Sequence, residues 1–158
     1  QLRQAYPELL VRADVRRVVV LDVQAAAGKD YRGEADLSGG FIFLNPRLIA
    51  QGNPAIGVTD PNTQFLLTLT EELVHFKVRE FARRNDEKWS QVIKEFLRRQ
   101  GFPPLYRQGE HPQQRWRRDF DEWVSKGLAA YLTGERNLLR DEVVPRLREL
   151  WQMMREGQ

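Results

Sequence analysis

Three ionisable side chains interrupt an apolar segment, LTLTEELVHF at residues 67–76. On a helix Glu71 lies four residues and Glu72 three residues before His75, so the polar ends of all three converge on one side. Two carboxylates and an imidazole held together can bind a metal ion or transfer a proton. The same pattern also fits a polar strip whose side chains face water or pair with one another. The spacing alone leaves both interpretations open.

The composition limits the chemistry to a few groups. The 158 residues contain no cysteine and two histidines, His75 and His111, so cysteine nucleophiles, disulfides and thiolate metal sites are excluded. Hydrophobic residues make up 41% of the chain and charged residues 30%, which indicates a globular protein rather than a disordered or membrane-spanning one. We expect a soluble protein, compatible with the cytoplasm and without a membrane partner, whose compartment the sequence does not specify.

The length predicts one domain. A chain of 158 residues can bury one core of ordinary size, so we expect a single domain over residues 1–158. The chain begins QLRQAYPELL, without an initiator methionine or a secretory signal, and we therefore expect it to be excised from a longer protein.

Periodicity and turn residues predict the elements that position the three side chains. Apolar runs rich in β-branched and aromatic residues predict strands at 16–24 and 41–45, with a turn-rich connection between them. Asp60 and Pro61 predict the start of the helix that carries the three side chains. The four expected helices cover residues 62–84, 86–100, 115–133 and 141–156. The chain is therefore predicted to be an α+β protein, with a small antiparallel sheet preceding a cluster of about four helices.

One connection is long enough to bear on function. The segment GFPPLYRQGEHPQQ, residues 101–114, is rich in proline and glycine and lies between two expected helices. Such a segment either forms a rim over a site or has little fixed structure, and the sequence favours neither.

The order of these motifs resembles the minimal zincin-like metallopeptidases of the IrrE-like and anthrax-lethal-factor-like kind. The segment GGFIFLNPRL looks like the edge strand beside the substrate cleft of those enzymes, and TLTEELVHF looks like their His-Glu-x-x-His helix. The segment WRRDFDEWVSKGLAAYL looks like the later helix, which donates the third zinc ligand. The resemblance covers about residues 16–133 and implies a zincin-like fold with a degenerate motif, EELVH.

Carried over residue by residue, the resemblance assigns a role to four positions. Glu71 takes the place of the first ligand histidine, Glu72 that of the general base and His75 that of the second ligand histidine. Lys126 takes the place of the third ligand, but an ammonium has no lone pair for a metal and repels a dication. We therefore expect a vestigial base, no bound metal, and an ion pair between Glu71 and Lys126 where a zinc ion would have joined two helices.

The resemblance also implies where a partner binds. In those enzymes the edge strand runs along the cleft, and an exposed strand edge can add an extended peptide without any metal. The residues expected to form this peptide-binding edge are Phe41, Ile42, Phe43, Leu44 and Asn45. The predicted function is that of a pseudo-metallopeptidase domain, a scaffold or interaction module for a protein, a peptide or another domain of its parent chain.

A working metal site is the first alternative. If the later helix is aligned one turn earlier, Glu122 becomes the third ligand in place of Lys126. Zinc bound by Glu71, His75 and Glu122, with Glu72 as the base, would then give an active peptidase with an unusual ligand set. On a helical wheel Glu122 lies almost opposite the apolar stripe and Lys126 lies closer to its edge, which slightly favours Lys126 as the residue that faces the first long helix.

A nucleic-acid-binding module is the second alternative. The net charge of +3 and a sequence pI of about 9.4 permit an anionic partner. Arginines at helix ends also complement the helix dipole, so the pattern does not demand such a partner. The basic pairs are Arg16–Arg17, Arg83–Arg84, Arg98–Arg99 and Arg117–Arg118.

Overall fold

The computed structural model describes residues 15–98, 103–109 and 117–156. Its three strands are β1 (Arg17–Val20), β2 (Gly33–Asp36) and β3 (Phe41–Leu44). Its α-helices are α1 (Val23–Ala26), α2 (Pro46–Ala50), α3 (Pro61–Arg84), α4 (Asp86–Arg98), α5 (Arg117–Leu132) and α6 (Val144–Glu156). Two 3₁₀ turns, Pro54–Ile56 and Arg136–Leu138, lie between these elements. The predicted α+β class and the four long helices are confirmed.

Helix α3 begins where Asp60 and Pro61 specify. The Asp60 carboxylate accepts a hydrogen bond from the Thr63 amide at 3.0 Å and one from the Thr63 hydroxyl at 2.9 Å, which hold the pKa of Asp60 below its ordinary value. Pro61 occupies the first turn, where no amide hydrogen is needed. Arg83 and Arg84 end the helix and complement its dipole. Neither α3 nor any other helix of the described ranges combines the length and the hydropathy needed to cross a membrane.

The three strands form one mixed sheet in the order β1–β3–β2. Strands β2 and β3 are antiparallel and are joined by a short turn, as expected of neighbouring strands. Strand β1 instead runs parallel to β3. The prediction of an antiparallel sheet is therefore wrong for β1. The reason is that the chain passes through α1 and β2 before it reaches β3. Because β2 is antiparallel to β3, the chain enters β3 in the same direction as β1.

The predicted peptide-binding edge at Phe41, Ile42, Phe43, Leu44 and Asn45 is also wrong. Strand β3 lies between the two other strands, so both of its edges are occupied. The Asn45 amide is engaged as well, because it donates to the Arg32 carbonyl at 2.8 Å. The error arises from β2, whose sequence GEAD has no β-branched or aromatic residue and was expected to be loop. The free edges among the described strands belong to β1 and β2.

An aromatic row holds α3 and α5 together beside the sheet. Phe81 of α3 packs edge-on against Trp89 of α4, with ring centroids 5.7 Å apart. Trp89 lies 5.2 Å from Phe120 of α5, which stacks on Trp123 at 6.2 Å. All four rings are buried, and Trp123 Nε1 donates to the Pro103 carbonyl at 2.9 Å. Because buried aromatic rings dominate the packing energy of a core, apolar contacts set the separation of these two helices.

Strand β2 approaches α3 unusually closely, and glycine makes this possible. A Cβ atom at Gly33 would lie 2.6 Å from Thr68 Cγ2 and 3.1 Å from Glu72 Cγ. Such distances are shorter than van der Waals contact, so any larger residue would push the strand away from the helix. The backbone of β2 therefore lies directly against the part of α3 that carries the candidate chemistry.

Candidate functional site

The five ionisable residues singled out for the degenerate metal site and its alternative meet in one cavity between α3, α5 and β2, which we call the α3–α5 cleft. Its volume is about 440 Å³. Helix α3 contributes Glu71, Glu72 and His75, and α5 contributes both Glu122 and Lys126. Lys126 faces α3, as the helical wheel favours, but Glu122 faces α3 as well. Residues four apart on α5 lie one above the other, so both side chains reach the cleft.

The long connection after α4 contributes to the rim of this cleft. Tyr106 lies within the described segment 103–109, is buried, and lines the cavity. It pairs with Leu139 in an isolated antiparallel bridge, which anchors the segment to the turn that follows α5. Of the two interpretations of 101–114, the described part 103–109 is consistent with a rim beside this cavity. The remainder of that segment, including His111, lies outside the described residues.

The ion pair expected between Glu71 and Lys126 is present. Lys126 Nζ lies 3.3 Å from Glu71 Oε1, and the two side chains are 36% and 20% exposed. The Glu71 carboxylate raises the pKa of Lys126 above its ordinary value, against the opposing effect of burial. The lysine is therefore charged at physiological pH. The pair joins α3 to α5 within the cleft.

Both ring nitrogens of His75 have partners on α5. Nε2 lies 3.3 Å from Glu122 Oε1, and Nδ1 lies 3.2 Å from Ser125 Oγ. A serine, a histidine and a glutamate in series invite comparison with a hydrolytic triad. Ser125, however, is fully buried and does not line the cleft. It therefore orients the His75 ring and is not placed to attack a substrate.

Glu72 is the ionisable group of the site whose burial is least offset by hydrogen bonds or ion pairs. Its side chain is 5% exposed, and no residue that the structure describes gives it a hydrogen bond or a salt bridge. Burial raises the pKa of Glu72 to about 8, and the nearby carboxylates of Glu71 and Glu122 act in the same direction. Lys126 opposes this shift without cancelling it. The carboxyl group is therefore largely protonated at neutral pH.

The residues present differ from the zinc site that the resemblance implies at Glu71 and Lys126, although Glu71, Glu72 and His75 together could hold a metal ion. One ligand atom from each of Glu71, Glu72 and His75 lies within 4.8 Å of the others. A zinc site needs at least three lone-pair donors around one open position. Here an ammonium binds Glu71, and both nitrogens of His75 are engaged by other side chains. Glu71 and His75 are consequently paired with side chains of α5, whereas Glu72 has no such partner among the described residues.

Two of the arginine pairs, Arg16–Arg17 and Arg83–Arg84, are described in full by the structure and do not line this cleft. Arg16 and Arg17 lie at the start of β1, whereas Arg83 and Arg84 lie in the last turn of α3. Arg84 is within 3.4 Å of Glu80 Oε1, one turn earlier on the same helix. Separate elements thus carry the two pairs. Arg99, which completes a further pair, lies outside the described residues.

No protein-family model, no curated protein and no solved structure matches this chain. The fold and the site define an α+β domain with a carboxylate-rich cleft between two long helices and the free edge of a small sheet. The zincin-like resemblance continues to rest on the motifs quoted above. The function has to be inferred from the side chains of the cleft.

The raised pKa of Glu72 predicts a specific pH dependence of stability. Between its ordinary value near 4.5 and about 8, the folded chain holds a proton that the unfolded chain has lost. The free energy of unfolding should therefore fall as pH rises through this window, by up to about 1.4 kcal/mol per pH unit. Glu72→Gln should remove this contribution. Urea unfolding of both proteins across the window measures it, and parallel pH profiles would contradict the assignment.

The Glu71–Lys126 pair predicts coupling between two substitutions. Lys126→Met removes the ammonium and leaves the Glu71 carboxylate without its partner, whereas Glu71→Gln removes the carboxylate. Because the pair is partly exposed, we expect a coupling energy of about 1 kcal/mol, between the values for surface and buried pairs. A double-mutant cycle on the free energy of unfolding measures it. Additive effects of the two substitutions would show that the pair contributes nothing.

Proposed function

We propose that this chain is a zincin-like domain whose metal site has been replaced by ion pairs, and that it acts as an interaction module binding an extended peptide along β2. The observation that carries the first part is the Lys126 ammonium at 3.3 Å from Glu71 Oε1. It occupies the position from which, by resemblance, a third metal ligand would come. A charge pair of this kind can connect two helices that a shared metal ion would otherwise connect.

The second part rests on the free edge of β2. The Asn45 amide donates to the Arg32 carbonyl, which identifies these two residues as a hydrogen-bonded pair of the β2–β3 ladder. Because such pairs alternate in antiparallel strands, Glu34 also turns its backbone groups toward β3. The amides and carbonyls of Gly33 and Ala35 then point to the opposite, free edge. An extended peptide can pair with that row.

The cleft beside this edge can accept side chains of a peptide whose backbone pairs with β2. Residues of β2 line the same cavity as Glu71, His75 and Lys126. Its volume of about 440 Å³ is within the range of pockets that accept a side chain or a small ligand. Backbone pairing along β2 would supply affinity, and the cleft would select the side chains that enter it. No step of this function requires a metal ion.

Zinc binding tests the replacement of the metal site. We expect the wild-type chain, purified without chelator and dialysed against zinc, to retain far less than one zinc ion per chain. The double variant Glu71→His, Lys126→Glu restores the ligand types of the zincin pattern and should retain about one, because imidazole and carboxylate replace the ammonium pair. Elemental analysis of both proteins, with His75→Ala in the double variant as the control, gives the result.

The opposite outcome is equally informative. One zinc ion per wild-type chain, lost on His75→Ala, would overturn the proposal. It would favour a metal site formed by Glu71, His75 and Glu122, and a peptidase assay with Glu72→Gln would follow.

Peptide binding tests the free edge of β2. Octapeptides selected from a random library against the wild-type chain should bind Ala35→Pro at least about tenfold more weakly, because proline removes an outward amide that pairs with the ligand. Val18→Pro is the matched control. The Arg17 amide donates to the Gly40 carbonyl and the Leu21 amide to the Leu44 carbonyl, so by alternation the Val18 amide faces the free edge of β1. If calorimetry shows equal affinities for both variants, the peptide does not bind along β2.

A further inference from the structure

Strand β1 exposes apolar side chains that the described part of the fold does not cover. Val18 is 44% exposed and Val20 is 61% exposed, and Val23, the first residue of α1, is 90% exposed. Among the described elements, β3 alone packs extensively against β1. Scattered apolar residues are ordinary at a protein surface, whereas a cluster of them often marks an interaction site. Residues 18–23 form such a cluster.

The backbone of β1 also presents unpaired groups beside these side chains. In the parallel ladder with β3, the amides of Arg17 and Leu21 point inward and donate to carbonyls of β3 and its preceding turn. By alternation, the N–H and C=O groups of Val18 and Val20 point to the free edge. Edge strands are usually protected by lysine, proline or a bulge, and the three valines that follow Arg17 have none of these. The edge is therefore open to pairing with another strand.

A second copy of β1 fits this edge. When two copies run antiparallel and are centred on Val19, Val18 of each copy lies opposite Val20 of the other. Because both residues turn their backbone groups outward, these are hydrogen-bonded pairs, in which each residue donates to and accepts from its opposite. Their β-branched side chains lie on one face of the sheet, where such cross-strand pairs stabilise the pairing.

The charges that flank the valines are complementary in the same register. Arg16 precedes β1 and Asp22 follows it, and both are exposed. Among the described residues, neither has an ion-pair partner. Asp22 uses Oδ1 to cap α1, accepting from the Ala25 amide at 2.7 Å, which leaves Oδ2 for a cation. In the register centred on Val19, Arg16 of each copy lies opposite Asp22 of the other.

The neighbouring registers that keep outward residues opposite each other fit less well. A pairing centred on Val18 places Arg16 opposite Val20, and a pairing centred on Val20 places Asp22 opposite Val18. Each puts a charged group against an apolar side chain. Of the three registers, the one centred on Val19 pairs apolar with apolar residues and positive with negative charge.

We propose that β1 is a homodimer interface, through which two copies of this chain pair antiparallel at Val18 and Val20 and form ion pairs between Arg16 and Asp22. The pairing joins two three-stranded sheets into one sheet of six strands. Because the strand is short, the dimer is weak and reversible. Strand β2 lies at the opposite edge of each sheet and stays free. The inference is therefore independent of the proposed peptide binding.

Sedimentation velocity of the whole chain at rising concentration tests the dimer. We expect the weight-average mass to rise from that of one chain toward twice that value between about 1 and 100 µM, the range of a small interface. Val20→Pro should weaken dimerisation at least about tenfold, because it removes an outward amide while the inward bonds to β3 remain. Ala35→Pro makes the same change at the free edge of β2 and is the matched control.

Two results of this experiment would overturn the inference. One is the mass of a single chain at every concentration, whether residues 1–14 or an unrelated partner occupies the edge. The other is equal weakening by Val20→Pro and Ala35→Pro, which would show that dimerisation does not depend on β1. Circular dichroism of both variants shows whether they fold.

Reversing the charges tests the register. Arg16→Glu places two carboxylates opposite each other in a homodimer, and Asp22→Arg places two guanidinium groups opposite each other, so each variant alone should dimerise at least about tenfold more weakly than the wild type. An equimolar mixture of the two variants should recover the dimer, because every cross-strand pair of the mixed dimer joins unlike charges. Loss of a fold in either variant cannot produce this recovery. A mixture that stays as weak as its components would overturn the inference.

Discussion

The constraint on which the structure depends is that α3 is buried on nearly every side while it carries Glu71, Glu72 and His75. The sheet, α4 and α5 cover its apolar residues, and the three polar groups all reach the α3–α5 cleft. There they must find partners on the facing helix or remain unpaired. Helix α5 supplies those partners at one-turn spacing, with Lys126 for Glu71 and Glu122 for His75. The helix packing and the polar pairing thus specify the same arrangement of α3 and α5.

The elements could be predicted where local residues decide them. Asp60 and Pro61 fix the start of α3, and strong apolar periodicity identifies the other long helices. Strand β2 could not be predicted in this way, since GEAD has no strand propensity and becomes a strand by pairing with β3. That one omission also placed β3 at the edge of the sheet. A signal did exist in Gly33, because a lone glycine beside a strand often marks a close backbone approach.

The candidate site was predictable to a similar degree. The spacing of Glu71, Glu72 and His75 was sufficient to place them together, because a helix imposes it. Lys126 was predicted to lie at the site only from the resemblance to zincin-like metallopeptidases. Ser125 was missed, since it belongs to no motif and acquires a role only through its tertiary contact with His75. Residues of this kind become visible only when the fold is known.

The pairing of Glu71 with Lys126 also limits the routes by which the chain can change. A substitution at either position alone leaves its partner charged and partly buried, at a cost in folding free energy. Metal-binding residues at both positions would need two changes, so each single step passes through a less stable protein. Selection for stability therefore acts against the first step, whatever advantage the second would bring. Once both residues are present, the ion pair is therefore easier to retain than to replace by successive single substitutions.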